Sequence, residues 1–224
     1  MINLPEEIKV KFASGSATIS ANKKYPVIIL IRGFVSAESY KSGIGSQPIG
    51  QYLANNGFVT LSPDFLGFGD SDMSDNNVWV GRFSKLNQVL TLQKSLRTLD
   101  FVDDTKVGIW GHSDGGQIAL SALEVSGESW PTVLWAPVSK PFPYSILYFT
   151  DDYEDQGKAL RKSLAEFEKD YDVRKYSITD YFGWIKVPIQ LHQGLSDDAV
   201  PFKWSRELDK NLQKQKIMCG TCRL

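Results

Sequence analysis

Apolar positions along the chain change period several times, and each change predicts an element. Val27-Ile28-Ile29-Leu30-Ile31 is an unbroken, mostly β-branched run, the mark of a strand buried on both faces. A polar, Gly-rich stretch follows, then a short helix near Ile49–Ala54 that Asn55-Asn56-Gly57 closes. Phe58–Leu61 reads as the next strand. Phe83, Leu86, Leu90, Leu96 and Leu99 recur at helical spacing, which predicts a long amphipathic helix over 81–99. Val107–Gly111 is a strand, and Ile118, Ala119, Ala122 and Leu123 mark the helix after it. Thr132–Ala136 and Val187–Gln193 are further strands, and Phe202–Lys216 is a helix with Leu208 and Leu212 inward. At the amino end Ile8, Val10 and Phe12, then Ala17 and Ile19, alternate around Ser14-Gly15-Ser16, which predicts a hairpin.

Strand–helix alternation of this kind predicts a doubly wound, mostly parallel α/β sheet. The rhythm breaks between residues 137 and 186. Pro137, Pro141 and Pro143, an aromatic run and the acidic Asp151, Asp152, Glu154 and Asp155 precede a stripe of Leu160, Leu164, Phe167 and Tyr171. That is too long for a simple connection, so a helical cap insertion is expected there, with the acidic patch at a helix start. Residues 1–216 are expected to form a single domain. Ile217–Leu224 shows neither strand alternation nor an amphipathic helix and reads as an aberrant tail, so the sheet is expected to lack its last strand and helix.

The 224 residues suffice for a substantial core. With 42% apolar and 23% charged residues and a net charge of −1, nothing draws the chain to nucleic acid or an acidic membrane. Its amino terminus lacks the basic and apolar regions of a signal peptide, and no run would span a bilayer, so a cytoplasmic location is expected. Cys219 and Cys222 have redox-pair spacing, but only two residues follow them, and His112 and His192 are the only histidines. Neither a redox pair nor a zinc site is expected, nor any metal or cofactor. A nucleotide-binding protein is disfavoured by the absence of a P-loop and of G-x-G-x-x-G after a strand.

The chemistry concentrates in Gly111-His112-Ser113-Asp114-Gly115, a G-x-S-x-G match between a strand and a helix. Such a turn projects a serine hydroxyl at the carboxyl end of the sheet, above a helix amino terminus that favours negative charge. Three further strand ends carry candidate groups: Ile31-Arg32-Gly33-Phe34, the stretch Pro63–Ser71, and His192-Gln193-Gly194-Leu195-Ser196-Asp197-Asp198.

Together these four motifs resemble the α/β-hydrolases, more narrowly the prolyl oligopeptidase and dienelactone hydrolase branch, over residues 27 to 216. The resemblance implies a serine hydrolase acting on a small ester or peptide substrate. It implies Ser113 as nucleophile, Asp197 as the acid of the triad, and the Phe34 and Asp114 backbone N–H groups as oxyanion donors. Asp198 is the second choice for the acid. Arg32 stands where the family often has histidine and is given a structural role, with substrate contact second. Asp64 and Asp70 are expected to shape their Gly-rich turn through its backbone.

The family's catalytic histidine follows its last strand, and this chain has none beyond His192. His112 is expected to point away from the serine hydroxyl, and His192 to pack at the sheet rim, second choice as a base. Truncation by a shifted frame near Lys216 would account for the lost strand, the lost base and the stray cysteines together. The alternative to an active hydrolase is therefore an impaired, truncated one acting at most as a binding module.

Overall fold

The β-branched run forms β2 (Tyr25–Ile31), with Val27, Ile29, Leu30 and Ile31 fully buried. A computed structural model describes residues 10–12 and 23–223. Around β2 a seven-stranded sheet assembles from β1 (Val10–Phe12), β3 (Val59–Pro63), β4 (Val102–His112), β5 (Thr132–Trp135), β6 (Ile189–Gln193) and β7 (Cys219–Arg223). The order is β1-β3-β2-β4-β5-β6-β7, and only β1 runs antiparallel to its neighbour. The expected hairpin falls largely outside the described residues; Val10–Phe12 pairs with β3.

Helices α1 (Gln47–Asn55), α2 (Val78–Ser95), α3 (Asp114–Ser126) and α6 (Phe202–Lys214) stand where the periodicity predicts them. Local chemistry sets their ends. Asn77 caps α2 by accepting from the N–H groups of Trp79 and Val80 at 2.9 and 3.4 Å. Gly127 closes α3 in the left-handed region at φ 65°, where its N–H reaches the Leu123 carbonyl. One core joins α2, α3 and α6 to the sheet: Val89, Leu92, Ala119, Leu123, Leu208 and Leu212 pack with Ile29, Ile109, Leu134 and Leu191. No helix among the described residues is long and apolar enough to cross a membrane.

Between β5 and β6 the chain is helical, with α4 (Tyr144–Leu147), α5 (Lys158–Asp170) and short 3₁₀ turns. Asp155 lies just before α5 and accepts from the N–H groups of Gly157 and Ala159, both at 2.8 Å. The α5 stripe buries Leu164, and Leu160 and Phe167 meet Trp79 of α2 and Phe142 in an aromatic cluster. The Trp79 indole also donates to the Ser163 hydroxyl at 2.9 Å.

The carboxyl-terminal expectation is corrected. Residues read as an aberrant tail carry β7, which pairs in parallel with all of β6 from Ile189↔Cys219 to Gln193↔Arg223. Ile217 is buried in the main core beside Leu212. A parallel ladder is made by backbone groups, so Cys-Gly-Thr-Cys-Arg can pair without the alternation that would announce it. Cys219 and Cys222 thus lie along one extended strand.

One core group is out of balance. Glu124 of α3 is 5% exposed, and its Oε1 has no hydrogen-bond partner among the described residues. Burial pushes its carboxyl from an ordinary 4.5 up to about 9. The folded chain therefore keeps a proton at neutral pH that the unfolded chain releases. A raised folded-state value contributes stability that is complete below about pH 4.5 and is lost as pH rises toward 9. Urea unfolding should show stability falling across that window by up to about 1.4 kcal/mol per pH unit. In Glu124→Gln this fall should disappear, leaving the variant more stable than the parent at about pH 8.

Candidate active site

β4 ends at His112 and α3 begins at Asp114, which leaves Ser113 alone to make the turn. Its backbone sits at φ 53°, ψ −118°, a region that favours glycine. Three backbone bonds hold it there. The Ser113 N–H donates to the Trp135 carbonyl at 3.0 Å, and its own carbonyl accepts from Gly116 at 2.9 Å and Val138 at 3.0 Å. The serine is thereby fixed to the end of β5 as well as to its own helix.

Glycines let the helix start close to the sheet. A β-carbon on Gly115 would stand 2.0 Å from the Ile31 carbonyl oxygen and 2.4 Å from that of Arg32. One on Gly116 would meet the Pro137 ring at 2.5 Å. The amino terminus of α3 thus presses directly on the end of β2, where Arg32-Gly33-Phe34 leaves the sheet.

Arg32 is 2% exposed and lies outside the cavity that contains Ser113. Its guanidinium packs against the rings of Tyr40 and Phe68, at 4.5 and 4.4 Å from their centroids. Nη1 donates to the Gly33 carbonyl at 2.9 Å. That carbonyl and the Phe34 N–H belong to one planar trans peptide and point in opposite directions. Arg32 therefore orients the Gly33–Phe34 peptide. Tyr40 and Ser42 both donate to the Asp64 carboxylate, the latter at 2.5 Å. Here the expected backbone bonding gives way to hydroxyl partners, because the Asp64 side chain turns toward the loop before α1; its backbone carbonyl accepts from Ser71 at 2.5 Å. Burial and Asp64 push the Tyr40 hydroxyl up to about 12, so it remains a donor.

Asp114 is fixed by a cluster that sequence reasoning misses. Arg82 and Lys85 of α2 reach its two carboxylate oxygens at 3.1 and 3.3 Å. Arg82 also donates to the Gln117 Oε1 at 2.9 Å, and Gln117 donates to Ser145 of α4 at 3.3 Å. Burial pushes the Asp114 carboxyl up, but the two cations outweigh it and hold it below the ordinary carboxylate range. Only the i, i+3 spacing of Arg82 and Lys85 on a helix otherwise read for its apolar face signals this.

Asp197 lies on the loop after β6, half-buried. Its Oδ1 accepts from the N–H groups of Ala199 and Val200 at 3.1 and 2.8 Å, and its Oδ2 from the Gln193 side chain at 3.0 Å. Gln193, fully buried, is oriented in turn by Ser205. Asp198 is exposed. The two histidines sit in one row across the sheet, where His112 pairs with Trp135 and Trp135 with His192. The His192 ring stacks on Trp135 and the His112 ring on Trp110. A β-carbon on Gly33 would lie 3.1 Å from both the His112 Nδ1 and the Ser113 Cβ. Burial lowers the His112 pKa, with the field of Asp197 opposing. Among the described residues no hydrogen bond joins either histidine to Ser113.

In front of Ser113 is a cavity of about 750 Å³. Phe34, Leu66 and Trp79 line one side; Val138, Ile146 and Phe149 of the helical segment line the other. Arg82, Lys85 and Asp114 form its charged floor.

A family model described as "Prolyl oligopeptidase family" matches residues 47–219, which include this serine turn, its helix and the Asp197 loop. The chain belongs to the prolyl oligopeptidase family. Its relatives include a probable dipeptidyl peptidase 4 of Emericella nidulans, 28% identical over 86% of this chain and 25% of that protein. Human prolyl endopeptidase FAP is 25% identical over 88% of this chain and 25% of that protein. The chain spans about a quarter of the length of these relatives. In fold it is similar to esterase 2 of Thermogutta terrifontis, with TM-score 0.68 and 18% identity, covering 98% of this chain and 84% of that one. It is likewise similar to dipeptidyl peptidase 4 of Porphyromonas gingivalis, with TM-score 0.63 and 19% identity over 90% and 28%.

The close approach at Gly115 gives this prolyl oligopeptidase-family chain a sharp test. Gly115→Ala must push α3 off two backbone carbonyls, at a cost of about 3 kcal/mol. Gly220→Ala, whose β-carbon would meet nothing within 4 Å, should change stability by less than about 0.5 kcal/mol. Denaturant midpoints of the two variants check the difference.

Proposed function

We propose that Ser113 is the nucleophile of a serine hydrolase that cleaves carboxylic ester or peptide bonds, with Asp197 as the acid of its triad. The observation that carries this reading is the Ser113 turn itself: a strained serine, clamped by backbone bonds, at the start of a helix and facing an apolar cavity. In the proposed step the Ser113 oxygen bonds to the substrate carbonyl carbon while its proton passes to a base. The carbonyl oxygen becomes an oxyanion held by the Phe34 and Asp114 N–H groups. Collapse expels the alcohol or amine, which takes up the proton, and leaves an acyl-serine for water to cleave. Two aimed donors could contribute several kcal/mol to that transition state.

The Asp197 carboxylate is oriented by three donors and is the better acid on that ground; Asp198 has no such support. Aromatic and aliphatic walls favour a small substrate with an apolar acyl group or side chain. The base is the weak member, since neither histidine is bonded to the serine. A serine hydrolase that lacks one triad member keeps about 10³–10⁴ of rate over water through binding and oxyanion stabilisation. The chain as written is therefore proposed to react slowly, the impaired form of the same activity. Phosphonylation of the similar Thermogutta terrifontis esterase by sarin shows which chemistry suits a test.

A fluorophosphonate probe should label the chain slowly, at Ser113, and labelling should vanish in Ser113→Ala. Labelling that persists in Ser113→Ala would overturn the assignment. Rapid stoichiometric labelling at Ser113 would show a working base, to be located by His112→Ala and His192→Ala.

A further inference from the structure

A second cavity, of about 520 Å³, lies behind the charged floor of the first. It is enclosed by α2, by α3 and by the turns over residues 175–184. Phe83, Tyr176, Tyr181 and Trp184 make part of its wall aromatic, beside aliphatic Leu86, Ile118 and Ile178. Phe83 and Tyr176 pack with ring centroids 4.5 Å apart, and Tyr181 and Trp184 at 4.7 Å. Val125 and Trp184, each more than half exposed, mark its mouth. Glu124 belongs to the wall beside Val125, nine-tenths buried, with Oε1 unbonded. A packed core offers no reason to keep a carboxyl in such a place, because an unpartnered buried oxygen costs about 1–3 kcal/mol.

We propose that this cavity binds an organic cation with an apolar body, a protonated or quaternary amine, with Glu124 as its counter-ion and the Tyr181–Trp184 pair against its charge. Aromatic faces attract cations through their negative quadrupole, and an adjacent carboxylate completes the pairing. The other charges on the cavity are arranged to permit this. Arg82 and Lys85 are bound to Asp114, which lies ten residues before Glu124 on α3, roughly 15 Å along the helix. Lys175 also lines the cavity, and Tyr176 and Tyr181 are its remaining titratable groups. Lys186 lies near Gly127, just past the end of α3.

Ion balance makes the proposal specific. In the empty cavity Glu124 is a neutral acid, pushed up to about 9 by burial. When a fixed cation seats, the acid releases its proton to solvent and the carboxylate pairs with the ammonium. One proton leaves for each cation bound, so affinity rises with pH up to the Glu124 value.

Benzyltrimethylammonium is a suitable probe, because its charge does not titrate. Calorimetry on the full chain should show saturable binding that tightens about tenfold per unit between about pH 6 and pH 8. Buffers of differing ionisation enthalpy should report one proton released. Glu124→Gln, nearly isosteric and expected to fold at least as well, should lose the pH dependence and bind at least about tenfold more weakly at pH 8. Trp184→Ala should weaken binding several-fold at every pH. Ser113→Ala should bind as the parent does, which separates this site from the proposed hydrolase. The proposal is overturned by absence of binding, by binding that ignores pH or Glu124→Gln, or by neopentylbenzene, the uncharged isostere, competing equally well. Glu124→Leu provides a second variant should the first fold poorly; retention of full affinity there would also overturn it.

Discussion

The arrangement depends on how closely the first turn of α3 approaches the end of β2. Gly115 lets the helix rest on the Ile31 and Arg32 carbonyls, where a single methyl group would collide with both. That contact fixes the distance between two peptides, Gly33–Phe34 and Ser113–Asp114, whose N–H groups are the proposed oxyanion donors. It also explains the buried Arg32. The loop leaving β2 is free of the sheet at Gly33, and the buried guanidinium bonds to its carbonyl, which orients the following N–H.

A second constraint comes from charge. Asp114 places a carboxylate beside the site where negative charge would develop, an unfavourable neighbour by itself. Arg82 and Lys85 balance it and tie α2 to α3, and Gln117 extends the chain of bonds to α4. Burial lowers the Lys85 ammonium pKa while Asp114 opposes that fall, so each partner keeps the other charged. Removing one member would strand a poorly solvated charge, which costs more than an ordinary hydrogen bond. The same three side chains separate the two cavities, so the wall between them is polar although both interiors are apolar.

Much of this fold is legible in the sequence because buried parallel strands and amphipathic helices leave strong periodic signals. Val27–Ile31 and the Leu208/Leu212 spacing each announce their element. What escapes lacks a side-chain signature. β7 is held by backbone ladders, and Cys-Gly-Thr-Cys-Arg alternates nothing. The pairing of Asp114 with α2 joins residues about thirty positions apart, and Gln193 reads as one more strand residue until its amide is seen against Asp197. At the site, glycine spacing predicts a sharp turn, yet only the folded structure shows that Arg32 faces inward and that Glu124, on the side of α3 opposite Ile118, Ala119, Ala122 and Leu123, is buried with its Oε1 unbonded among the described residues. Motifs locate the groups that would do chemistry; the groups that orient them are set by tertiary packing.

The positive φ at Ser113 bears on how this protein could change. A serine there holds a conformation that glycine adopts at no steric cost, so about 1–3 kcal/mol of strain is carried at one residue. Selection for robustness alone would replace it, and the hydroxyl would go with it. The most stable descendant of this sequence and the most reactive one are therefore different molecules, and they part at residue 113.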